Sequence, residues 1–137
     1  MLSPSTATIR LFLHVLAASV WVGGQFALAG VVPALRRAAP DSTKVVGQAF
    51  ARVAWPAFGV VVLTGMWNLM AVDITTRDSA WQGTVLLHLA MGIASGVFAA
   101  IHAAGKSKLS LAIGGALGAL TSVAALFLGV LLHSGTA

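Results

Sequence analysis

A chain of 137 residues, 58% hydrophobic and only 8% charged, lacks the polar side chains that coat a water-soluble domain, where about 25% charged is usual. The net charge of +5 does not make a nucleic-acid surface, because the Lys and Arg residues sit at the ends of apolar runs rather than among exposed aromatics. No cysteine is present, which excludes disulfides, thiolate metal sites and covalently attached c-type haem.

Four charge-free apolar runs stand out, at about residues 11–35, 53–72, 83–105 and 109–132. Each meets the roughly 20 residues that an α-helix needs to cross ~30 Å of hydrocarbon. No segment shows the apolar/polar alternation of a transmembrane barrel. The links between runs are short, so neighbours run antiparallel. The expectation is an all-α, up-down four-helix bundle in the membrane, one domain spanning 1–137, with the lipid bilayer as its main partner. Arg36, Arg37, Lys44 and Arg52 fall between the first two spans, and Lys106 and Lys108 between the last two. Basic links mark the cytoplasmic side, so both termini are expected to be extracytoplasmic, in a bacterial inner membrane.

In chain order, the first span carries Arg10 at its outer edge, then His14, Ala18, Trp21 and Gln25 at i, i+4, i+7 and i+11, one helical face. Ala27-Leu28-Ala29 resembles a signal-peptide cleavage site. The apolar run continues past it, though, and the basic residues follow rather than precede it, so the segment reads as a retained helix. Pro33 and the Arg36-Arg37 pair are expected to end that helix. Pro40-Asp41-Ser42 offers an N-cap for an amphipathic lead-in to the second span, and Pro56 falls near that span's start. Met66, Met70 and Asp73 share a face toward its outer end. Trp81 suits the interfacial belt before the third span, in which His88, Met91, Gly92, Ser95, Ala99 and His102 form one stripe. The fourth shows Gly114, Gly118, Ser122, Ala125, Gly129 and His133 on a comparable stripe. Gly92-x3-Gly96 and Gly114-x3-Gly118 are small-x3-small patterns that admit close helix approach in lipid. No long-period repeat is evident, and no second domain.

Polar groups inside a membrane cost free energy and so mark functional candidates. With the topology above, His14, His88, His133, Met66 and Met70 fall in one slab near the outer face. Imidazoles at His14 and His88 suit the axial positions of a haem, with Arg10 beside a propionate, Trp21 packed against the ring and Gly92 leaving room. A thioether/imidazole set of His14, His88, Met66 and Met70, with Met91, His102 and His133 as alternates, suits copper(I) instead. The bland alternatives are that His133 satisfies a helix C-terminus, His102 is an interfacial residue, the methionines are packing and Gln25 is an interhelical hydrogen-bonder.

These residues also carry a family resemblance. His14-x6-Trp21-x-Gly23-Gly24 with Pro33 downstream resembles the first helix of CopD-like copper-resistance membrane proteins. Arg52-Val53-Ala54, Leu63-Thr64-Gly65-x2-Asn68 and Trp81-x-Gly83-x2-Leu86-Leu87 are similar to that domain's next two helices. The early His, the Trp-x2-Gly, Pro33-x2-Arg36 and His102 followed by basic residues are also similar to HemJ-type haem-binding proteins. Where both patterns carry a helix-three lysine, this chain has His88. The resemblance implies copper handling or haem. The function expected first is a haem b protein in electron transfer or other redox chemistry, next copper binding or transport, and third an accessory subunit docking by its small-residue faces, as a homodimer or within a larger complex.

Overall fold

In a computed structural model, described for residues 2–135, the chain folds into four long helices: α1 (Thr6–Ala38), α2 (Ser42–Met70), α3 (Ser79–Ala104) and α4 (Lys108–Ser134). A 3₁₀ turn at Ile74–Thr76 precedes α3, and no strand occurs among the described residues. The helices contain 33, 29, 26 and 27 residues, and at ~1.5 Å per residue each is longer than the hydrocarbon thickness. All four are apolar enough to cross a membrane. The chain is therefore all-α and multi-pass, with the elements of a four-helix bundle. Every helix leaves large apolar side chains exposed, among them Phe12, Leu63, Ile93 and Phe127. The few buried residues are mostly small, as where helices associate through close packing rather than exclusion from water.

Sequence chemistry explains where the helices start. Ser5 and Thr8 form a capping box at α1, and Ser107 and Ser110 form another at α4. Asp78 accepts from the Trp81 amide at α3. Each supplies an acceptor for an amide that has no partner within the first turn.

Two boundaries depart from the sequence expectation in a way that moves a proline into a helix. The helix α2 begins at Ser42 rather than near residue 53, because the amphipathic lead-in is continuous with the span. Asp41 occupies its N-cap position without a side-chain cap bond. Pro56 consequently lies mid-helix, where its missing N–H forfeits the bond to the Arg52 carbonyl. Similarly, α1 runs through Pro33 to Ala38, so the proline and the arginine pair lie inside its last turns. One lost backbone bond does not end a helix that has several residues of helical sequence on either side.

Two compact units divide the chain, Met1–Val72 and Asp73–Ala137. Each is an antiparallel helical hairpin. In the first, Arg10 meets Asn68, His14 meets Val61 and Thr64, Trp21 meets Trp55 and Phe58, and Gly24 lies against Phe50. In the second, His88 meets Ala125, Ala99 faces Gly118, and His102 lies against Gly114 and Leu111. Gly114 bears out the small-residue reading of α4: a Cβ there would stand 2.7 Å from the His102 nitrogen and 2.9 Å from the Phe98 oxygen, both backbone atoms. Gly92 does not behave this way, since a Cβ on it would meet nothing within 4 Å.

Candidate functional site

The first hairpin places Arg10 and His14 one turn apart on the α1 face that meets α2. Half-buried Arg10 donates from Nε to Asn68 Oδ1 at 2.6 Å. This charge-assisted bond holds the guanidinium at the end of the hairpin. One turn further in, His14 Nδ1 lies 3.0 Å from the Val61 carbonyl and 3.0 Å from Thr64 Oγ1. The Thr64 hydroxyl donates to the Val60 carbonyl at 2.5 Å, so it meets the ring as an acceptor. Two acceptors at Nδ1 require the proton there. In the neutral ring the lone pair then sits on Nε2, the nitrogen able to bind a metal or accept a hydrogen bond.

The second hairpin repeats this arrangement. His88 Nδ1 lies 2.8 Å from the Ala125 carbonyl, and His102 Nδ1 lies 2.7 Å from the Leu111 carbonyl. A carbonyl only accepts, so both rings also carry the proton on Nδ1. A histidine that ligates a metal almost always donates its other ring N–H to a carbonyl or carboxylate, which fixes the tautomer and raises ligand basicity. His14 and His88 both have that outer bond.

Beneath Arg10 and His14, Trp21 anchors an aromatic cluster. Its ring centroid lies 4.5 Å from Phe58 and 5.6 Å from Trp55. Trp21 is buried, and its partners stand on successive turns of α2. Gln25 forms no interhelical bond of the kind expected; its amide donates back to the Trp21 carbonyl, four residues earlier on its own helix.

The thioethers are placed differently. Met66 and Met70 are 56% and 83% exposed, so most of their surface is turned outward from the hairpin. Met91 is half-buried, and His102 and His133 are exposed. No group of three or more His, Cys, Asp or Glu side chains with metal-binding proximity occurs among the described residues.

Before α3, Asp73 accepts from the Thr75 amide and hydroxyl at 3.0 and 2.7 Å. The hydroxyl bond first, and then the amide bond, hold its carboxyl below the usual aspartate value. The Gln82 amide donates to the Ile74 and Arg77 carbonyls, and the Arg77 guanidinium lies 5.3 Å from the centroid of the Trp81 ring. These contacts tie down the link leading into α3.

Sequence reading missed Asn68, Thr64 and the accepting carbonyls as partners of the polar residues. Asn68 and Thr64 were visible as polar residues inside an apolar run. The carbonyls leave no side-chain signal.

No family model matches the chain, and no curated protein or solved structure was found to match it.

Proposed function

We propose that the protein is an integral membrane haem b protein of the inner membrane, its termini extracytoplasmic, in which His14 and His88 would hold the haem and the chemistry it would supply is one-electron transfer. The observation that supports this reading is the matched pair of Nδ1–H···O=C anchors, one in each hairpin, which would leave Nε2 as the nitrogen to coordinate in both rings. The donor chemistry fits the group: two imidazoles anchored through Nδ1, and a half-buried guanidinium one turn outward from His14 on the same face. Bound haem would supply a reversible ferric/ferrous couple, with its potential tuned by axial-ligand basicity and burial.

The chain's own residues have separable tasks. Arg10, held by Asn68, would offer its remaining N–H groups to a propionate. The Val61, Thr64 and Ala125 oxygens hold the ring protons on Nδ1. Trp21, with Trp55 and Phe58, provides a rigid aromatic floor one to two turns below His14.

The decisive experiment pairs an absorption spectrum of the purified protein with glutamine substitution. His14→Gln and His88→Gln can keep the interhelical bond, because the glutamine amide also donates to a carbonyl, but they remove the imidazole ligand. The proposal expects a Soret band and a sharp reduced α-band in the parent protein, and loss of the low-spin spectrum in each folded variant. A colourless protein, or an unaltered spectrum in both variants, sinks it. A colourless protein that binds copper, with binding lost in Met66→Ala/Met70→Ala, points to the thioether set.

A further inference from the structure

The three anchored histidines share a feature that side-chain patterns alone do not reveal. His14 donates to Val61, and residue 65 is glycine. His88 donates to Ala125, and residue 129 is glycine. His102 donates to Leu111, and residue 115 is glycine. In each case the glycine stands four residues after the accepting carbonyl.

Helix geometry supplies the reason. The carbonyl of residue j already accepts from the amide of j+4, and its second lone pair is turned sideways. Side chains on a helix lean toward the N-terminus, so the residue at j+4 covers that carbonyl. A glycine at j+4 uncovers it. The distances agree: a Cβ at Gly65 would stand 3.1 Å from His14 Cε1 and 3.6 Å from Nδ1. At Gly129 it would stand 3.2 and 3.6 Å from the same two atoms of His88, and at Gly115 it would stand 3.1 Å from His102 Nδ1. Each ring therefore occupies the space that any other residue's Cβ would crowd.

We infer that Gly65 and Gly129 are positioning residues, which by exposing the Val61 and Ala125 carbonyls set the Nδ1–H tautomer of His14 and His88 and so present Nε2 as the coordinating atom in both hairpins. The hairpins are equivalent in this respect: an imidazole from the leading helix, a carbonyl on the returning helix and a glycine one turn later. The sequences around these positions, Leu11-Phe12-Leu13-His14 with Leu63-Thr64-Gly65 and Val85-Leu86-Leu87-His88 with Phe127-Leu128-Gly129, align on the histidine and the glycine. That correspondence is invisible as a fixed-period repeat, because 51 residues separate His14 from Gly65 and 41 separate His88 from Gly129 (65 − 14 and 129 − 88). The inference deepens the haem reading and takes its purpose from it, but the tautomer itself is measurable whether or not a cofactor is present.

The test is nitrogen-15 NMR of histidine-labelled protein in detergent micelles, as purified and chemically reduced so that any low-spin haem is diamagnetic. The parent protein is expected to show a one-bond N–H coupling at Nδ1 and an unprotonated-type shift at Nε2 for His14 and His88. Gly65→Ala is expected to abolish or scramble that signature for His14 alone, and Gly129→Ala for His88 alone. Gly30→Ala, where a Cβ meets nothing within 4 Å, is the control and should leave both unchanged. A proton on Nε2 of either ring in the parent protein overturns the inference, and that measurement needs no variant to fold. So does an unaltered His14 signature in folded Gly65→Ala. If the protein is colourless but the tautomers are as stated, the haem reading fails and the positioning role stands.

Discussion

Alanine substitution along one face of α4 separates close helix packing from mere smallness of residues. Gly114, Gly115 and Gly118 face α3, and their surroundings differ in a graded way. At Gly114 a new Cβ meets backbone atoms of α3 at 2.7, 2.9 and 3.0 Å. Backbone cannot rotate away, so the helices must separate, and overpacking of this kind costs about 1–3 kcal/mol. At Gly115 the neighbours are the His102 ring atoms, nearest at 3.1 Å. The ring can swing aside, but only by giving up its bond to Leu111, and a typical intramolecular hydrogen bond contributes about 1 kcal/mol net. At Gly118 the nearest atom stands at 3.5 Å, ordinary van der Waals contact. Gly118→Ala should therefore leave stability unchanged, or raise it by up to about 1 kcal/mol through helix propensity. Reversible unfolding in mixed micelles, followed by far-UV circular dichroism, reads all three. The expected order of destabilisation is Gly114→Ala, then Gly115→Ala, then Gly118→Ala, with at least about 1 kcal/mol between the extremes. A neutral Gly114→Ala, or a Gly118→Ala as damaging as Gly114→Ala, would refute the reasoning.

Asn68→Leu leaves the half-buried Arg10 guanidinium without its acceptor and should cost about 1.5–3 kcal/mol, the range for a bond to a charged group, in the same unfolding assay; Arg10→Leu combined with Asn68→Leu should recover part of that loss. Trp21→Ala removes the centre of the aromatic cluster and should destabilise the first hairpin by about 3 kcal/mol, while Trp55→Ala, at a position 38% exposed, costs less. Thr75→Val deletes the hydroxyl bond to Asp73, so the Asp73 carboxyl should titrate closer to the ordinary aspartate value by NMR; no movement contradicts the assignment. Because the folded-state value is depressed, the stabilising contribution is present at neutral pH and is lost as pH falls through that lowered value, which Thr75→Val should shift upward. In a haem-loaded sample, Gly65→Ala weakens His14 as a donor and should move the midpoint potential positive, read by optical redox titration.

The four helices and their hairpin pairing were legible because hydropathy and link length alone determine them. Where α2 begins was not, since Lys44 and Arg52 make residues 42–52 look like a separate surface segment although their backbone is continuous with the span. Pro33 illustrates the same limit: a proline signals a lost bond, but the flanking helical sequence decides whether the helix stops. For the candidate site, His14 and His88 were visible as intramembrane imidazoles on defined faces, and Arg10 as a cation one turn out. Their anchors were not visible. A backbone carbonyl has no residue type, and a glycine that uncovers one looks identical in sequence to a glycine that lets two helices touch. Gly114 does the second and Gly129 the first, and only the register between helices distinguishes them. Asn68 was readable as polar, but its pairing with Arg10 depends on how far the antiparallel partner is offset, which the link between the helices does not specify.

Absorption spectroscopy of the purified protein, oxidised and then reduced, tests the central claim most directly. The account predicts a low-spin spectrum with a Soret band and a sharp reduced α-band, present at one haem per chain and lost when either His14 or His88 is replaced by glutamine. A folded, colourless protein, or one whose spectrum survives both substitutions, would contradict it.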